Sequence, residues 1–139
     1  MSGSSWRLHI PLIELKPYYS RKKRQMVKPS PWLTLNDRDS WHRRKKLTEY
    51  YRQAAINAAV EVDLPALQKA HIFAWVSYGN NRRLDPHNYM LTAKAVIDGL
   101  VEYGVLPDDN SRYLIGPDMR RDETLPVGLT VDIIDIWEE

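Results

Sequence analysis

Acidic and imidazole side chains suited to phosphodiester chemistry are concentrated between residues 82 and 110. Asp85 and His87 stand two residues apart, and the adjacent carboxylates Asp108 and Asp109 follow later in the same segment. Clustered carboxylates suit hard divalent cations such as Mg²⁺, which bind oxygen ligands and keep several waters. A cation held in this way can polarise a phosphodiester and activate water for its hydrolysis. The residue types therefore indicate a metal-dependent hydrolytic site if the chain brings them together.

A helix from Asp85 to Tyr103 is predicted to position these groups. Asp85 followed by Pro86 is a helix-start pattern, with the Asp85 side chain as the cap, and Gly104 is a typical helix end. Asp85 thus stands at the head of this helix, and the Asp108–Asp109 pair follows a short loop after its end. We expect that loop to fold back along the helix and to bring the carboxylates closer together.

One side of this helix carries the polar side chains. At about 100° per residue, Lys94 and Asp98 fall within about 20° of His87, which predicts one outward-facing ridge. The opposite side is an apolar stripe that is expected to face the core and contains Tyr89, Ala93, Val96, Ile97 and Leu100.

Each of these polar residues also has an ordinary structural explanation. Asp85 could be simply a helix cap, and His87 could be simply a polar residue of the first turn. The Asp108–Asp109 pair is typical of turns. Lys94 and Asp98, four residues apart, can form an exposed pair worth about 0.3–0.5 kcal/mol. The spacing alone leaves both interpretations open.

The rest of the chain predicts a single α+β domain over residues 1–139, a mixed β-sheet of about four strands with two main helices. Strands are predicted at 6–15, closed by Pro17, at 71–78 and at 129–137, and a basic loop with Pro29 and Pro31 follows the first of them. Asn36 and Asp37 are good helix-capping residues. The long helix after them has an apolar stripe of Leu47, Tyr51, Ala54, Ala55, Ala58 and Val62.

Charge is distributed unevenly along the chain. Residues 1–52 hold 13 Lys and Arg against 4 Asp and Glu, a net charge of +9, and residues 53–139 hold 7 against 14, a net charge of −7. A basic half beside an acidic half fits a protein that grips a polyanion with one region and holds cations with another. Ordinary solvated surface charge is the alternative. The candidate phosphate contacts are Arg21, Lys22, Lys23, Arg24, Arg43, Arg44, Lys45 and Lys46.

Aromatic residues lie among these basic residues and could pack against sugars or unpaired bases. They are Tyr18, Tyr19, Trp32 and Trp41. Such residues also occur in protein cores, and for Trp41 both placements stay open.

Several function classes are disfavoured. The chain has no cysteine, which excludes a cysteine-ligated zinc site, and no apolar run approaches the roughly 20 residues that span a bilayer. The first residues lack the basic start and apolar stretch of a signal peptide. We therefore expect a cytoplasmic protein without a membrane partner.

The segment from Arg82 to Asp109 resembles the RusA family of Holliday junction resolvases, particularly the RusA-like proteins of phages and prophages. The family pattern is an arginine-rich approach, Asp-x-Asp-Asn, a helix with a lysine and Asp-x-Leu, then Gly-x-x-x-Asp-Asp. The match covers about 28 of 139 residues. The matching positions are Arg82, Arg83, Asp85, His87, Asn88, Lys94, Asp98, Leu100, Gly104, Asp108 and Asp109.

The resemblance implies a RusA-like fold and a homodimeric, Mg²⁺-dependent endonuclease that cuts four-way DNA junctions in recombination and repair. By position, Asp85 and Asp109 would be catalytic metal ligands supported by Asp108, and Lys94 would contact the scissile phosphate. The resemblance also adds Arg82, Arg83 and Asn88 to the candidate DNA contacts.

Two departures from the family pattern bear on the metal and on activity. His87 stands where the family has its second aspartate, and the interval from Asn88 to Lys94 is about one helical turn longer than in the cellular prototype. Imidazole is a poor Mg²⁺ ligand but an acceptable Mn²⁺ ligand, so His87 is a candidate ligand with Mn²⁺ as the alternative cation. A noncatalytic branched-DNA-binding protein with a residual ion site, and a flap or fork nuclease, are the alternative functions.

Overall fold

The computed structural model describes residues 4–35 and 41–136, and its central element is a four-stranded mixed sheet. The sheet strands are β1 (Ser5–Ile10), β4 (Ala70–Ser77), β5 (Leu114–Arg121) and β6 (Gly128–Asp135). In the order β1-β6-β4-β5, only the β4–β5 pair is parallel, and the other neighbours are antiparallel. A separate hairpin consists of β2 (Tyr18–Ser20) and β3 (Gln25–Val27).

Two α-helices complete the fold, α1 (Trp41–Glu61) and α2 (Met90–Tyr103). A 3-10 turn, Pro86–Tyr89, leads directly into α2. At Gly104 the backbone adopts the left-handed conformation, and its N–H bonds the carbonyl of Leu100, which ends the helix as predicted. The predicted α+β class, with a mixed four-stranded sheet and two main helices, is confirmed.

The helices cover one face of the sheet. In β4, Ile72, Ala74 and Val76 are buried in one core with residues of both helices, whereas His71, Phe73 and Trp75 on the other face are only half-buried. The predicted apolar stripe of α2 is buried in full. Thr92, Ala95 and Gly99 of α2 are buried as well, because α1 packs against that side of the helix.

Several predicted boundaries are wrong. The first strand ends at Ile10 because Pro11 follows it, and the basic segment predicted as a loop contains the β2–β3 hairpin with Arg21–Arg24 at its turn. Strand β5 was not predicted. Val62 is exposed because α1 ends at Glu61. The proposed caps Asn36 and Asp37, and Trp137 of the predicted last strand, lie outside the described residues.

Neither α1 nor α2 is both long and apolar enough to cross a membrane, and the same holds for any helix in the described part of the chain.

Candidate functional site

Asp85 and His87 lie together at the start of the 3-10 turn. Oδ1 of Asp85 accepts a hydrogen bond from the backbone N–H of His87 at 3.0 Å and lies 3.2 Å from Nδ1 of the same residue. These contacts, the backbone bond first, hold the pKa of Asp85 below its ordinary value. Both side chains are about two-thirds exposed, 63% for Asp85 and 67% for His87. The structure thus confirms Asp85 as a helix cap and presents it to solvent as a carboxylate.

Asp109 lies beside Lys94, although the two residues come from different segments. Nζ of Lys94 is 3.4 Å from Oδ2 of Asp109, and Lys94 is the more exposed partner, at 59% against 35%. The neighbouring Asp108 holds the turn, because its carboxylate accepts hydrogen bonds from the Asp109 backbone N–H at 2.8 Å and from the Asn110 amide at 3.3 Å. The loop after α2 therefore does fold back, and it sets Asp109 against the helix at Lys94.

The predicted ridge of α2 is divided in two. Lys94 and Asp98 do face away from the core, but His87 belongs to the 3-10 turn, which advances about 120° per residue rather than 100°. His87 borders a small groove with Asp118 and Arg120 of β5, whereas Lys94 and Asp98 border a larger groove against α1. His87 faces solvent as predicted, but it borders a different groove from Lys94 and Asp98.

The donor atoms suit a divalent cation, but they are not assembled into a closed set of ligands. Within 4–35 and 41–136, no group of three or more His, Asp or Glu side chains is placed to hold a metal ion together. Mg²⁺ is commonly bound by one or two carboxylates, waters and the phosphates of its substrate rather than by an all-protein cage. In the described residues Asp85 contacts His87, and Asp109 separately contacts Lys94 and Asp108, so each place offers carboxylate oxygens for binding of that kind.

The candidate phosphate contacts of the first half fall into two groups. Arg21, Lys22, Lys23 and Arg24 are all exposed at the turn of the β2–β3 hairpin. The other group, Arg43 to Lys46, lies in the first turns of α1, where Arg44, Lys45 and Lys46 are exposed.

Arg43 differs from its neighbours because it has a structural contact. Its guanidinium donates hydrogen bonds to the backbone carbonyls of Ser30 and Trp32, so it holds the segment before α1. Thr92 of α2 holds the same segment from the other side, since its hydroxyl both accepts from the N–H of Leu33 at 3.0 Å and donates to the Leu33 carbonyl at 2.9 Å.

Arg44 and Lys45 border a groove that also contains Lys94, and we call it the α1–α2 groove. It has a volume of about 500 Å³. Its lining residues are Leu33, Trp41, Arg44, Lys45, Thr48, Glu49, Leu91, Lys94, Ala95 and Asp98. The groove joins part of the basic half of the sequence to the lysine of the candidate site.

Two residues that the sequence did not indicate hold the arginine-rich approach to Asp85. Arg121 donates hydrogen bonds to the backbone carbonyls of Arg82, at 2.5 Å, and Asn80, at 2.9 Å. Glu123 pairs with Arg121 at 2.8 Å and accepts from the backbone N–H of Tyr78 at 2.9 Å. We call these two residues the Arg121–Glu123 clamp. Arg121 is the last residue of β5 and Glu123 follows that strand, and because β5 lacked a strand pattern of its own, no sequence signal pointed to these two residues.

The clamp leaves both arginines of the approach exposed at the surface. Arg82 lies over the ring of Tyr78 at 5.9 Å, and Arg83 is exposed. Asn88 is only half-buried, and its backbone carbonyl accepts from the N–H of Leu35 at 3.0 Å.

The candidate aromatic contacts divide clearly. Trp32 is buried in the core and packs edge-on against Tyr89 with ring centres 4.8 Å apart. Trp41, Tyr18 and Tyr19 are exposed. Of the two placements that the sequence left open for Trp41, the surface is therefore the correct one.

A scan against protein-family models finds no match to this chain, and a search of curated proteins finds no similar sequence.

Proposed function

We propose that this protein is a metal-dependent endodeoxyribonuclease that hydrolyses phosphodiesters in branched DNA, with the four-way junction as its substrate and a homodimer as its working form. One observation carries the proposal. Lys94 and Asp109, to which the resemblance assigns the scissile phosphate and the metal, lie 3.4 Å apart although they come from separate segments. A single cation and the phosphate that it binds could therefore meet both side chains at once.

The side chains have distinct roles in this proposal. Asp109 and Asp85 would hold Mg²⁺, or Mn²⁺ with the help of His87, and the bound cation would supply water activation and charge neutralisation. Lys94 would bind a non-bridging oxygen of the phosphate and stabilise charge that develops there. Asp108 keeps Asp109 in position through the hydrogen bond to its backbone N–H.

Binding of the DNA backbone would come from exposed cations of the α1–α2 groove and of the segment before Asp85. Arg44 and Lys45 border the same groove as Lys94, and Arg82 and Arg83 precede Asp85. Contacts of this kind give affinity and salt dependence without sequence preference. A structure-selective nuclease needs this form of grip.

A noncatalytic branched-DNA-binding protein is the second candidate function. Two observations favour it: His87 replaces a carboxylate of the family pattern, and the described residues include no group of three metal-binding side chains. A flap or fork nuclease would use the same chemistry on a different substrate.

One assay separates these functions. The protein is incubated with a labelled four-way junction, a matched duplex and a fork, each in Mg²⁺, Mn²⁺ or EDTA. The proposal predicts cation-dependent cutting of the junction and none of the duplex. Junction binding with no cutting in either cation would favour the noncatalytic function, and preferred cutting of the fork would favour the third.

A further inference from the structure

The position of the α1–α2 groove is explained by the close approach of the two helices. A Cβ added at Gly99 would lie 2.2 Å from the backbone oxygen of Arg52, so the helix backbones nearly touch there. Arg52, near the middle of α1, also pairs with Glu102 in the last turn of α2. The groove lies on the other side of this contact, between the N-terminal halves of α1 and α2, with Leu33 and Leu91 among its lining residues.

Trp41 forms one wall of the groove and is an unusual residue to find exposed. It is 60% accessible, although tryptophan is usually well buried. The ammonium group of Lys45 lies 5.0 Å from the centre of its ring. A cation therefore lies over one face of an exposed indole that lines the groove.

Charge in the groove is arranged by position along the helices. Arg44 and Lys45 on α1 and Lys94 on α2 give three positive groups toward the helix N-termini. Glu49 and Asp98 are the two acidic lining residues, and each follows the cations of its own helix. An anion would therefore be favoured at the end that also contains Trp41.

A nucleotide matches this combination of groups. It carries a flat aromatic base next to a phosphate, and single-strand-binding proteins use base stacking on aromatic side chains together with cations along the backbone. The groove volume of about 500 Å³ lies within the range of small-ligand sites.

We propose that the α1–α2 groove binds one unpaired nucleotide of the DNA, with the base against Trp41 and its phosphate on Arg44 and Lys45, which leaves Lys94 for the neighbouring phosphate. The proposal rests on the proposed function for the claim that this nucleotide belongs to the substrate, but binding itself requires no cation. Because Lys94 also lies beside Asp109, an unpaired base in the groove would place a neighbouring phosphate close to the candidate site.

This site would contribute to selection of branched DNA. Bases in an intact duplex are paired and stacked, and taking one out costs a few kcal/mol, whereas a base that is already unpaired, or whose pair is weakened at a branch point, costs less. A duplex would still contact the cations but would leave Trp41 without a partner.

The test is a binding titration in EDTA, where no cleavage occurs. A short fluorescein-labelled oligothymidylate is compared with a duplex of equal length, and fluorescence anisotropy measures both affinities. Trp41→Ala should weaken single-strand binding roughly tenfold and duplex binding much less. Trp41→Phe, which keeps an aromatic ring, should restore most of the affinity. A thermal melt of each variant checks that the fold is intact.

Lys45→Ala and Lys46→Ala form a matched charge pair. Both residues are exposed neighbours on α1, but only Lys45 borders the groove. Lys45→Ala should weaken single-strand binding more than Lys46→Ala does, and equal losses would overturn the site. Unchanged single-strand affinity in folded Trp41→Ala would overturn it as well. If the Trp41 and Lys45 variants show the predicted binding losses but the wild-type protein cuts no DNA in Mg²⁺ or Mn²⁺, only the proposed nuclease function is refuted.

Discussion

Replacing Glu123 with glutamine tests the Arg121–Glu123 clamp that holds the segment before Asp85. The carboxylate pairs with Arg121 and accepts hydrogen bonds from the backbone N–H groups of Tyr78 and Gly79. Glutamine keeps the shape and one accepting oxygen but removes the charge. The expected result is a less stable protein, because three charge-assisted contacts become weaker.

The magnitude follows from the pKa of Glu123. Burial raises this pKa, but the hydrogen bonds from Tyr78, Arg121 and Gly79 outweigh it and lower the value from 4.5 to about 2. A difference of that size corresponds to at most about 3 kcal/mol of folding free energy. Because 27% of the side chain is exposed, solvent screening reduces the expected contribution to about 1–2 kcal/mol.

The pH dependence has a defined sign. Since the folded pKa is the lower one, the contribution of the charge is fully present above the unfolded value of 4.5 and is lost as the pH falls toward about 2. The difference in free energy of unfolding between wild type and Glu123→Gln should therefore be constant above about pH 5.5 and shrink below about pH 4.5.

Urea unfolding at a series of pH values measures this difference. Glu61→Gln, an exposed change at the end of α1, is the control, and its difference from wild type should stay within about 0.5 kcal/mol. The clamp would be refuted if Glu123→Gln matched this control at neutral pH, or if its deficit were the same at about pH 3 as at about pH 7.

Two further predictions concern the helices and the DNA grip. Gly99→Ala should lower stability by about 1–3 kcal/mol, because the new methyl group meets the Arg52 backbone oxygen and this clash exceeds the gain in helix propensity; an unchanged or higher melting temperature would contradict the close helix contact. Replacing Arg44, Lys45 and Lys46 together with alanine should weaken junction binding and lower the slope of log K against log salt by about one unit per lost phosphate contact. An unchanged slope would exclude this part of α1 as a phosphate grip.

The parts of the fold that were predictable are those with local signals. The period of the apolar residues in α2 identified its core side, and Asp85, Pro86 and Gly104 marked its ends, because caps and turns are local chemistry. The helical wheel correctly predicted that His87 is exposed but not that it borders a different groove from Lys94, because a 3-10 turn has a different angular step, which a sequence pattern does not reveal.

Strand β5 shows what local patterns miss. Its sequence contains Gly116 and Pro117, which indicate a turn, yet the segment pairs with β4 in parallel. Parallel pairing is stabilised by residues far away in sequence, so β5 has little signal of its own. The Arg121–Glu123 clamp lies at the end of β5, so it could not be predicted once that strand was missed.

The candidate site was predicted in its residue types but only partly in its arrangement. Folding back of the loop after α2 was expected, and Asp109 does approach the helix, but its contact with Lys94 depends on the turn that Asp108 fixes. The α1–α2 groove depends on how two helices cross at Gly99. Neither packing arrangement can be read from spacing alone.

Cleavage by Asp109→Asn tests the proposed function most directly. The change is nearly isosteric and removes one carboxylate charge beside Lys94, so the fold should survive while cation binding is lost. Asp63→Asn, in the turn after α1, is the charge-matched control. With a labelled four-way junction in Mg²⁺, we predict that Asp63→Asn cuts like wild type, whereas Asp109→Asn binds the junction at least as tightly but does not cut it. Cutting at the wild-type rate by folded Asp109→Asn would contradict the assignment of this protein as a metal-dependent nuclease acting through Asp109.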